Sequence, residues 1–251
     1  MEKLSMYQWG ELYNRSSENV KMLYENIKKE NYSSQTAEML KLARKQNYNS
    51  VCEIGCGSGQ TAIALALLGL KVVALDYQKE SLELVMKVVE LFGGEVVNNI
   101  EVICCNAQNE LPFHENQFDA IYHAGLLEHY SSEERVKMLS LWKKYCDEMI
   151  SMVPNGASVA YRYGKEKMIK NGTWPYGTEN IIYTQILEFI HAGLCVDEEY
   201  TIGLMNSLNF LDKKNYLKKA MLKLWDEHFL EDDCHQGYLL VTRGRKRGSE
   251  K

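Results

Sequence analysis

The stretch Val51-Cys-Glu-Ile-Gly-Cys-Gly-Ser-Gly-Gln60 decides how the rest of the chain is arranged. Its apolar, β-branched start predicts the end of a buried strand, and three glycines follow at alternate positions. Residues 60–68 are good helix formers, and Gly69 stands where a helix would end. Strand, glycine turn and helix make the first half of a βαβ unit. Because glycine lets a ligand approach the backbone, the turn and the N–H groups of the helix start predict a ligand-binding site.

The spacing of these glycines limits the class of ligand. A dinucleotide-binding turn, G-x-G-x-x-G, would need its third glycine at Gln60 or Ala62, and neither position holds one. Glu53 precedes the turn, where its carboxylate would repel a pyrophosphate. The residues therefore favour a cationic or zwitterionic ligand.

The string Glu53-Ile-Gly-Cys-Gly-Ser-Gly59 resembles the first motif of the class I S-adenosylmethionine (SAM)-dependent methyltransferases. SAM carries a sulfonium and an amino-acid tail, which agrees with the charge argument. The resemblance covers residues 50–165 and implies an α/β fold, Rossmann-like and doubly wound, with a seven-stranded, mostly parallel sheet. It also implies that the methionine end of SAM is held by Glu53 and by the turn residues Gly55, Cys56, Gly57 and Gly59.

Composition and charge argue against several classes of protein. The chain has 251 residues, 45% of them hydrophobic, enough for one large α/β domain. A net charge of −5 argues against binding of nucleic acid, whose phosphates favour basic surfaces. No apolar run approaches the roughly 18 residues of a membrane span, and the N-terminus lacks the apolar core of a signal peptide, so the expected location is cytoplasmic. The seven cysteines form no C-x-x-C pair, so we predict no metal site.

Two further strands are predicted to carry the remaining cofactor-binding residues. Asp76 ends the second strand, residues 71–76, at the sheet edge where open α/β folds bind ligands. It lies 17 residues beyond Gly59, close to the roughly 20 expected of an acid that accepts ribose hydroxyls, and Tyr77 is assigned to the cofactor with it. The alternative for Asp76 is an N-cap of the helix predicted over residues 79–92. After a third strand at 100–105, Asn106-Ala107 resembles the Asp-Ala pair that binds adenine in these enzymes, with Asn106 in place of the acid.

The loop after the fourth predicted strand, residues 118–124, holds the candidate catalytic residue. Its string Leu127-Glu-His-Tyr130 resembles a Leu-Glu-His segment of many small-molecule methyltransferases. His129 is the candidate general base, because the ordinary pKa of histidine lies near neutrality. The alternative is that His129 orients the loop or stabilises the next helix. His123, within the strand, is expected in the core or on the cofactor side and is counted with the cofactor-binding residues.

The chain is expected to form one methyltransferase domain with three parts. Residues 1–48 make an N-terminal helical cap, which either packs on the domain or covers the site, and residues 49–164 make the SAM-binding core. Residues 165–251 hold an insert after the fifth strand and the last helices and strands. Within these parts we predict helices at 131–150, 178–190 and 213–229, strands at 157–163, 195–202 and 237–242, and a solvated basic tail from Arg243.

The acceptor is inferred mainly by elimination. Sequence markers of the DNA amino-methylating, cytosine-C5 and protein-arginine subclasses are missing, so the leading prediction is methyl transfer to a small molecule. The expected protein is a monomer or homodimer without nucleic-acid or membrane partners. A SAM- or nucleoside-binding regulatory module without methyl transfer is the alternative, and Glu53 disfavours a nicotinamide oxidoreductase. Candidate acceptor-binding residues are Tyr7, Trp9, Tyr13, Arg162, Trp174 and Tyr176.

Overall fold

The structure, a computed structural model, describes residues 6–11, 13, 15–212, 214–228 and 235–246. Its helices are α1 (Met6–Glu11), α2 (Ser17–Lys28), α3 (Ser34–Gln46), α4 (Gln60–Leu67), α5 (Lys79–Phe92), α6 (Gly94–Val97), α7 (Ser132–Trp142), α8 (Val159–Lys170), α9 (Ile186–His191), α10 (Leu204–Leu208) and α11 (Tyr216–His228). Its strands are β1 (Ser50–Ile54), β2 (Lys71–Asp76), β3 (Ile100–Cys104), β4 (Phe118–Ala124), β5 (Cys146–Pro154), β6 (Leu194–Ile202) and β7 (Leu239–Lys246).

The seven strands form one sheet in the order β3-β2-β1-β4-β5-β7-β6. Strands β1 to β5 pair in parallel, and β7 runs antiparallel to both of its neighbours. This arrangement confirms the predicted Rossmann-like, mostly parallel sheet. The strand order reverses between β1 and β4, so a crevice opens at the carboxyl ends of these strands.

Both faces of the sheet are covered, as the apolar composition of its parallel strands requires. Helices α2 to α5 pack one hydrophobic cluster against one face, and α7 and α9 pack a second cluster against the other. Trp142, fully buried in the second cluster, donates its indole N–H to the carbonyl of Ala107 at 2.7 Å. The loop after β3 is thereby fixed from beneath. No helix in the described part of the chain is long and apolar enough to cross a membrane.

The largest correction to the sequence-based prediction concerns residues 143–163. The helix predicted over 131–150 ends at Trp142, and Cys146–Pro154 forms β5 between β4 and β7. A strand buried on both faces shows no apolar alternation, so its sequence pattern resembles that of a buried helix. The predicted fifth strand at 157–163 is instead the start of α8, whose N-cap Ser158 accepts a hydrogen bond from the Tyr161 N–H.

The end of the chain differs from the prediction as well. The helix predicted over 178–190 is limited to α9, and α10 was not predicted. The basic segment expected in solvent continues β7 to Lys246. Arg243 is 2% exposed because its guanidinium bonds the buried carboxylate of Glu148, with Nη2 and Oε1 2.5 Å apart. A buried charge with a partner on the neighbouring strand thus draws the tail into the sheet.

Candidate active site

A cleft of about 660 Å³ opens at the carboxyl ends of the first strands. Its floor comes from the ends of β1 and β2 and the loop after β3, and its far wall from the loop after β4. Trp9 and Tyr13 of the N-terminal segment line it as well. The structure thus brings six separate parts of the sequence together at one site: Trp9 with Tyr13, residues 54–55, 75–78, 105–107 and 125–130, and Met138.

The glycine turn after β1 adopts backbone angles that favour glycine. Gly55, Gly57 and Gly59 have φ values of +70°, +53° and +72°. A Cβ on Gly59 would lie 2.5 Å from a methyl carbon of Val85, which leaves no space for a side chain. A Cβ on Gly57 would lie 3.1 Å from the Tyr13 hydroxyl, so the Tyr13 ring lies over the turn. Tyr13 is therefore placed beside the predicted cofactor-binding turn.

Glu53 supports the turn from below rather than facing the cleft. Its carboxyl is 5% exposed and accepts a hydrogen bond from the Ala62 N–H, 3.0 Å away in the first turn of α4. Burial raises the pKa of Glu53 to about 8. Cys56 is buried beside Ser81. Neither Glu53 nor Cys56 lines the cleft, because both side chains lie in the packing beneath the turn.

Asp76 lines the cleft at the end of β2, as predicted. Its Oδ2 accepts from the Gly57 N–H at 3.0 Å and from the Ser81 hydroxyl at 3.3 Å, and its Oδ1 accepts from the Gln78 N–H at 2.9 Å. Burial raises the pKa of Asp76, and these hydrogen bonds oppose the rise. Asp76 is not the cap of α5, whose N-cap is Gln78 without a side-chain capping bond; its carboxylate instead fixes the glycine turn at the cleft.

The other predicted cofactor residues divide between the cleft and the core. Tyr77, Asn106 and Ala107 line the cleft. The Oδ1 of Asn106 accepts from the Gln108 N–H at 3.0 Å, which fixes the side chain. His123 does not line the cleft. It is fully buried, its Nε2 lies 2.7 Å from Ser151 Oγ, and burial lowers its pKa to about 3, so it is a neutral core residue.

His129 lies at the edge of the cleft in a short 3₁₀ turn after β4. Its Nδ1 lies 3.0 Å from the Thr178 carbonyl, which can only accept, so Nδ1 carries a hydrogen. In the neutral ring Nε2 then bears the lone pair, 3.8 Å from Glu128 Oε1. The Trp9 ring meets the imidazole edge-on at 4.9 Å between centroids. The arrangement can accept a proton at Nε2.

The candidate acceptor residues after β5 lie beside a second cavity next to the cleft. Arg162 lines this cavity and hydrogen-bonds the Tyr183 hydroxyl at 3.0 Å. Trp174 contacts Tyr176 edge-on, with ring centroids 5.2 Å apart. The side chain of Tyr7 lies outside the described part of the structure. Trp9 and Tyr13 lie in the first cleft and Arg162 beside the second, so the candidate set spans both.

Sequence reasoning missed a buried polar group between the two cavities. Glu128, Glu179 and Lys165 meet there, and Lys165 forms an ion pair with Glu179. Glu128 stands in the same Leu-Glu-His string as His129, a signal that pointed to the loop but not to its carboxylate. One ligand atom each of Glu128, His129 and Glu179 lies within 4.8 Å of the other two. The described part of the chain therefore does contain one group with the spacing of a cation site.

Comparisons with known proteins agree with this geometry. The family model of the methyltransferase domain matches residues 51–148, from β1 into β5. A search of curated proteins finds no match.

Two solved structures illustrate the likeness of the fold. The magnesium protoporphyrin IX methyltransferase of Synechocystis PCC 6803, with bound S-adenosylhomocysteine (SAH), is 15% identical at a TM-score of 0.56, over 95% of this chain and 92% of that chain. The geranyl diphosphate C-methyltransferase of Streptomyces coelicolor A3(2) is 11% identical at a TM-score of 0.53, over 79% of this chain and 72% of that chain. The glycine motif and the family model together indicate that residues 51–148 form a methyltransferase domain, on a fold shared with these solved methyltransferases.

Proposed function

We propose that the protein transfers a methyl group from SAM to a small-molecule acceptor, with SAM in the cleft beside the glycine turn. One observation carries the proposal: a single cleft joins the glycine turn, the Asp76 carboxylate, the Asn106-Ala107 pair and, at its edge, His129. These are the contacts that a nucleoside with an amino-acid tail requires.

The residues of the cleft fit SAM in detail. Asp76 lines the cleft at the end of β2, where its carboxylate would accept a hydrogen bond from a ribose hydroxyl. Gly55 at the cleft leaves the backbone open to the methionine end, and Tyr13 covers the turn beside it. Asn106, Ala107 and Tyr77 would hold the adenine. Glu53, Cys56 and Gly59 would act indirectly, by fixing the shape of the turn.

Bound SAM supplies an activated methyl group on a sulfonium. The task of this chain is to orient the acceptor and to exclude water. Trp9 and Tyr13 cover the cleft from the N-terminal side. His129 is placed to take a proton from the acceptor at Nε2, with its ring fixed by the Thr178 carbonyl through Nδ1. The transfer then yields SAH, the methylated acceptor and one proton on His129.

A small acceptor is favoured by the acidic net charge of −5, which disfavours polyanions. The cytoplasm is the proposed location. Buried free cysteines such as Cys52 and Cys146 support it, because they suit a reducing compartment.

The donor site is tested by isothermal titration calorimetry with SAM, SAH and NAD. We expect binding of SAM and SAH and no comparable binding of NAD. Binding of NAD without a response to SAM would reject the proposed function. A panel of small molecules screened for SAH release then tests the transfer; SAM binding without turnover on any acceptor would favour a regulatory module.

The role of His129 is tested on the acceptor that this screen identifies. His129→Ala should lower kcat about 10²-fold or more while the affinity for SAM stays unchanged, because a base acts on the acceptor and not on the donor. His114→Ala is the matched control, since His114 is exposed on the loop before β4. Full turnover of His129→Ala would show that His129 only orients the loop.

A further inference from the structure

The second cavity lies beside the cleft, between α8 and the loop 178–181. It encloses about 1260 Å³ and is lined by Tyr161, Lys165 and Glu179 among others. We call Glu128, Glu179, Lys165, Tyr161 and Trp174 the acid–aromatic cluster. Glu128 lines neither cavity but lies between them, because one ligand atom each of Glu128, His129 at the cleft and Glu179 at the second cavity lie within 4.8 Å of one another.

The cluster already holds one ammonium group. Glu179 Oε2 accepts from the Tyr161 hydroxyl at 2.8 Å and forms an ion pair with Lys165. The Lys165 Nζ lies 5.4 Å from the centroid of the Tyr161 ring and 4.9 Å from that of Trp174. Carboxylate and aromatic faces together are the surroundings in which proteins bind amines.

Glu128 contributes a second carboxylate that this ammonium does not satisfy. It is 2% exposed, and its Oε2 has no hydrogen-bond partner among the described residues. Arg135 attracts it, but the guanidinium of Arg135 bonds Glu188. A buried carboxyl oxygen without a donor is costly, so a ligand that brings a donor and a positive charge to Oε2 would be bound favourably.

The Glu128 carboxyl is also close to the place of reaction. A Cβ on Gly125, which lines the cofactor cleft, would lie 3.5 Å from Glu128 Oε1. The same oxygen lies 3.8 Å from His129 Nε2. A group bound by Glu128 would therefore adjoin both the cleft and the candidate base.

We infer that Glu128 and Glu179 form a cation subsite for the methyl acceptor, so that the acceptor is a small molecule carrying a protonated amine. This inference rests on the proposed function and adds the substrate class to it. A divalent metal could use the same oxygens together with His129. The ammonium of Lys165 on Glu179 repels a dication about twice as strongly as a monocation, and the aromatic walls suit an alkylammonium ion, so the amine is favoured.

The test compares three probes of nearly equal shape: phenethylamine, 2-phenylethanol and phenylacetate. Their binding to the SAH-saturated protein is measured by calorimetry. We expect phenethylamine to bind at least about 10-fold more tightly than the alcohol, as a charge-assisted hydrogen bond implies, and phenylacetate to bind weakest. Glu128→Gln should remove most of this preference, whereas Glu133→Gln, an exposed residue on α7, should keep it. Equal binding of the three probes to the wild type would overturn the inference.

A second readout follows the proton on Glu128. The pKa of Glu128 is raised to about 8, mainly by burial and secondly by the charge of Glu179, while Lys165 and Arg135 oppose the rise. His129 Nε2 also faces it, and the hydroxyls of Tyr161 and Tyr238 lie nearby. Binding of an ammonium at pH 7 should thus release close to one proton, seen as a dependence of the binding enthalpy on the buffer. The dependence should vanish in Glu128→Gln; its absence in the wild type would count against the subsite.

Two measurements, of SAH binding and of the amine preference, distinguish a failure of the cation subsite from a failure of the proposed function. If SAH does not bind the wild type, the proposed function fails; if SAH binds and the amine preference is missing, only the cation subsite fails. Normal SAH binding by Glu128→Gln shows that this variant folds. If Glu128→Gln does not fold, Glu179→Gln takes its place in the test, and this variant is also predicted to weaken the amine preference. Tight Mn²⁺ binding that depends on Glu128, without an amine preference, would assign the site to a metal and overturn the inference.

Discussion

The two halves of the crevice are built by different means. On the donor side, at β1 and β2, the groups that shape the site are backbone atoms: Asp76 bonds the N–H groups of Gly57 and Gln78. On the acceptor side, between β4 and α8, side chains bond side chains, as Tyr161, Glu179 and Lys165 do. A site shaped by backbone atoms tolerates few substitutions. In a cluster of side chains, by contrast, one substitution changes which ligand is bound. In the proposed function the donor side is therefore the fixed half and the acceptor side the adjustable half.

The largest effect is expected from a substitution that disturbs the backbone of the glycine turn on the donor side. Gly59→Ala should lower the free energy of unfolding by about 2–5 kcal/mol, since positive φ costs about 1–2 kcal/mol and overpacking against Val85 costs about 1–3 kcal/mol. Urea denaturation measures the loss. Gly69→Ala is the control, because Gly69 has φ +98° with nothing within 4 Å of an added Cβ. If both variants lose the same stability, the contact with Val85 contributes nothing.

A smaller effect is expected from a substitution that changes a side chain of the cleft, Asp76, rather than the backbone of the glycine turn. Asp76→Asn should weaken SAH binding about 10–100-fold, because the substitution removes the charge and points a donor at donors. Calorimetry measures this affinity. Asp119→Asn is the matched control: Asp119 Oδ2 accepts from the N–H groups of Asn49 and Ser50 at the opposite edge of the sheet, far from the cleft. Equal losses of SAH affinity in both variants would exclude a direct role for Asp76.

The smallest effect concerns the acceptor side and depends on pH. The folded-state pKa of Glu128, about 8, lies above its ordinary value of 4.5, so the folded protein binds the proton more tightly. Stability contributed by this proton is present at low pH and is lost as pH rises through about 8. Glu128→Gln cannot ionise, so it should gain about 1–3 kcal/mol relative to the wild type between pH 5 and pH 8.

Thermal unfolding across this pH range measures the gain. Glu53, whose pKa is also raised to about 8, contributes equally to both proteins and cancels in the comparison. Glu133→Gln should follow the wild type throughout. A constant difference between Glu128→Gln and the wild type would show that Glu128 is ionised in the folded protein at all these pH values.

Prediction from the sequence succeeded where local signals and the fold agree. The bounds of β2, α5 and β4 match the predicted ones, because caps, glycines and apolar spacing mark them locally. It failed at Cys146–Pro154, where a strand buried on both faces lacks alternation, and at residues 157–163, where Ser158 caps a helix rich in residues that favour strands. For His123 the sequence left the core and the cofactor side open, and the structure places it in the core, where its side chain bonds Ser151.

The sequence alone determined the donor half: a glycine turn after an apolar strand and an acid at the end of the next strand predict where a nucleoside would bind. Their spacing along the chain suffices, because the carboxyl ends of adjacent parallel strands meet at one edge. Only the tertiary structure decided the acceptor half. Glu128 and Glu179 are far apart in sequence, and their pairing with Lys165 arises when α8 and the loop 178–181 fold onto the turn after β4. No local pattern encodes that contact, since burial and neighbouring charge are properties of the folded chain.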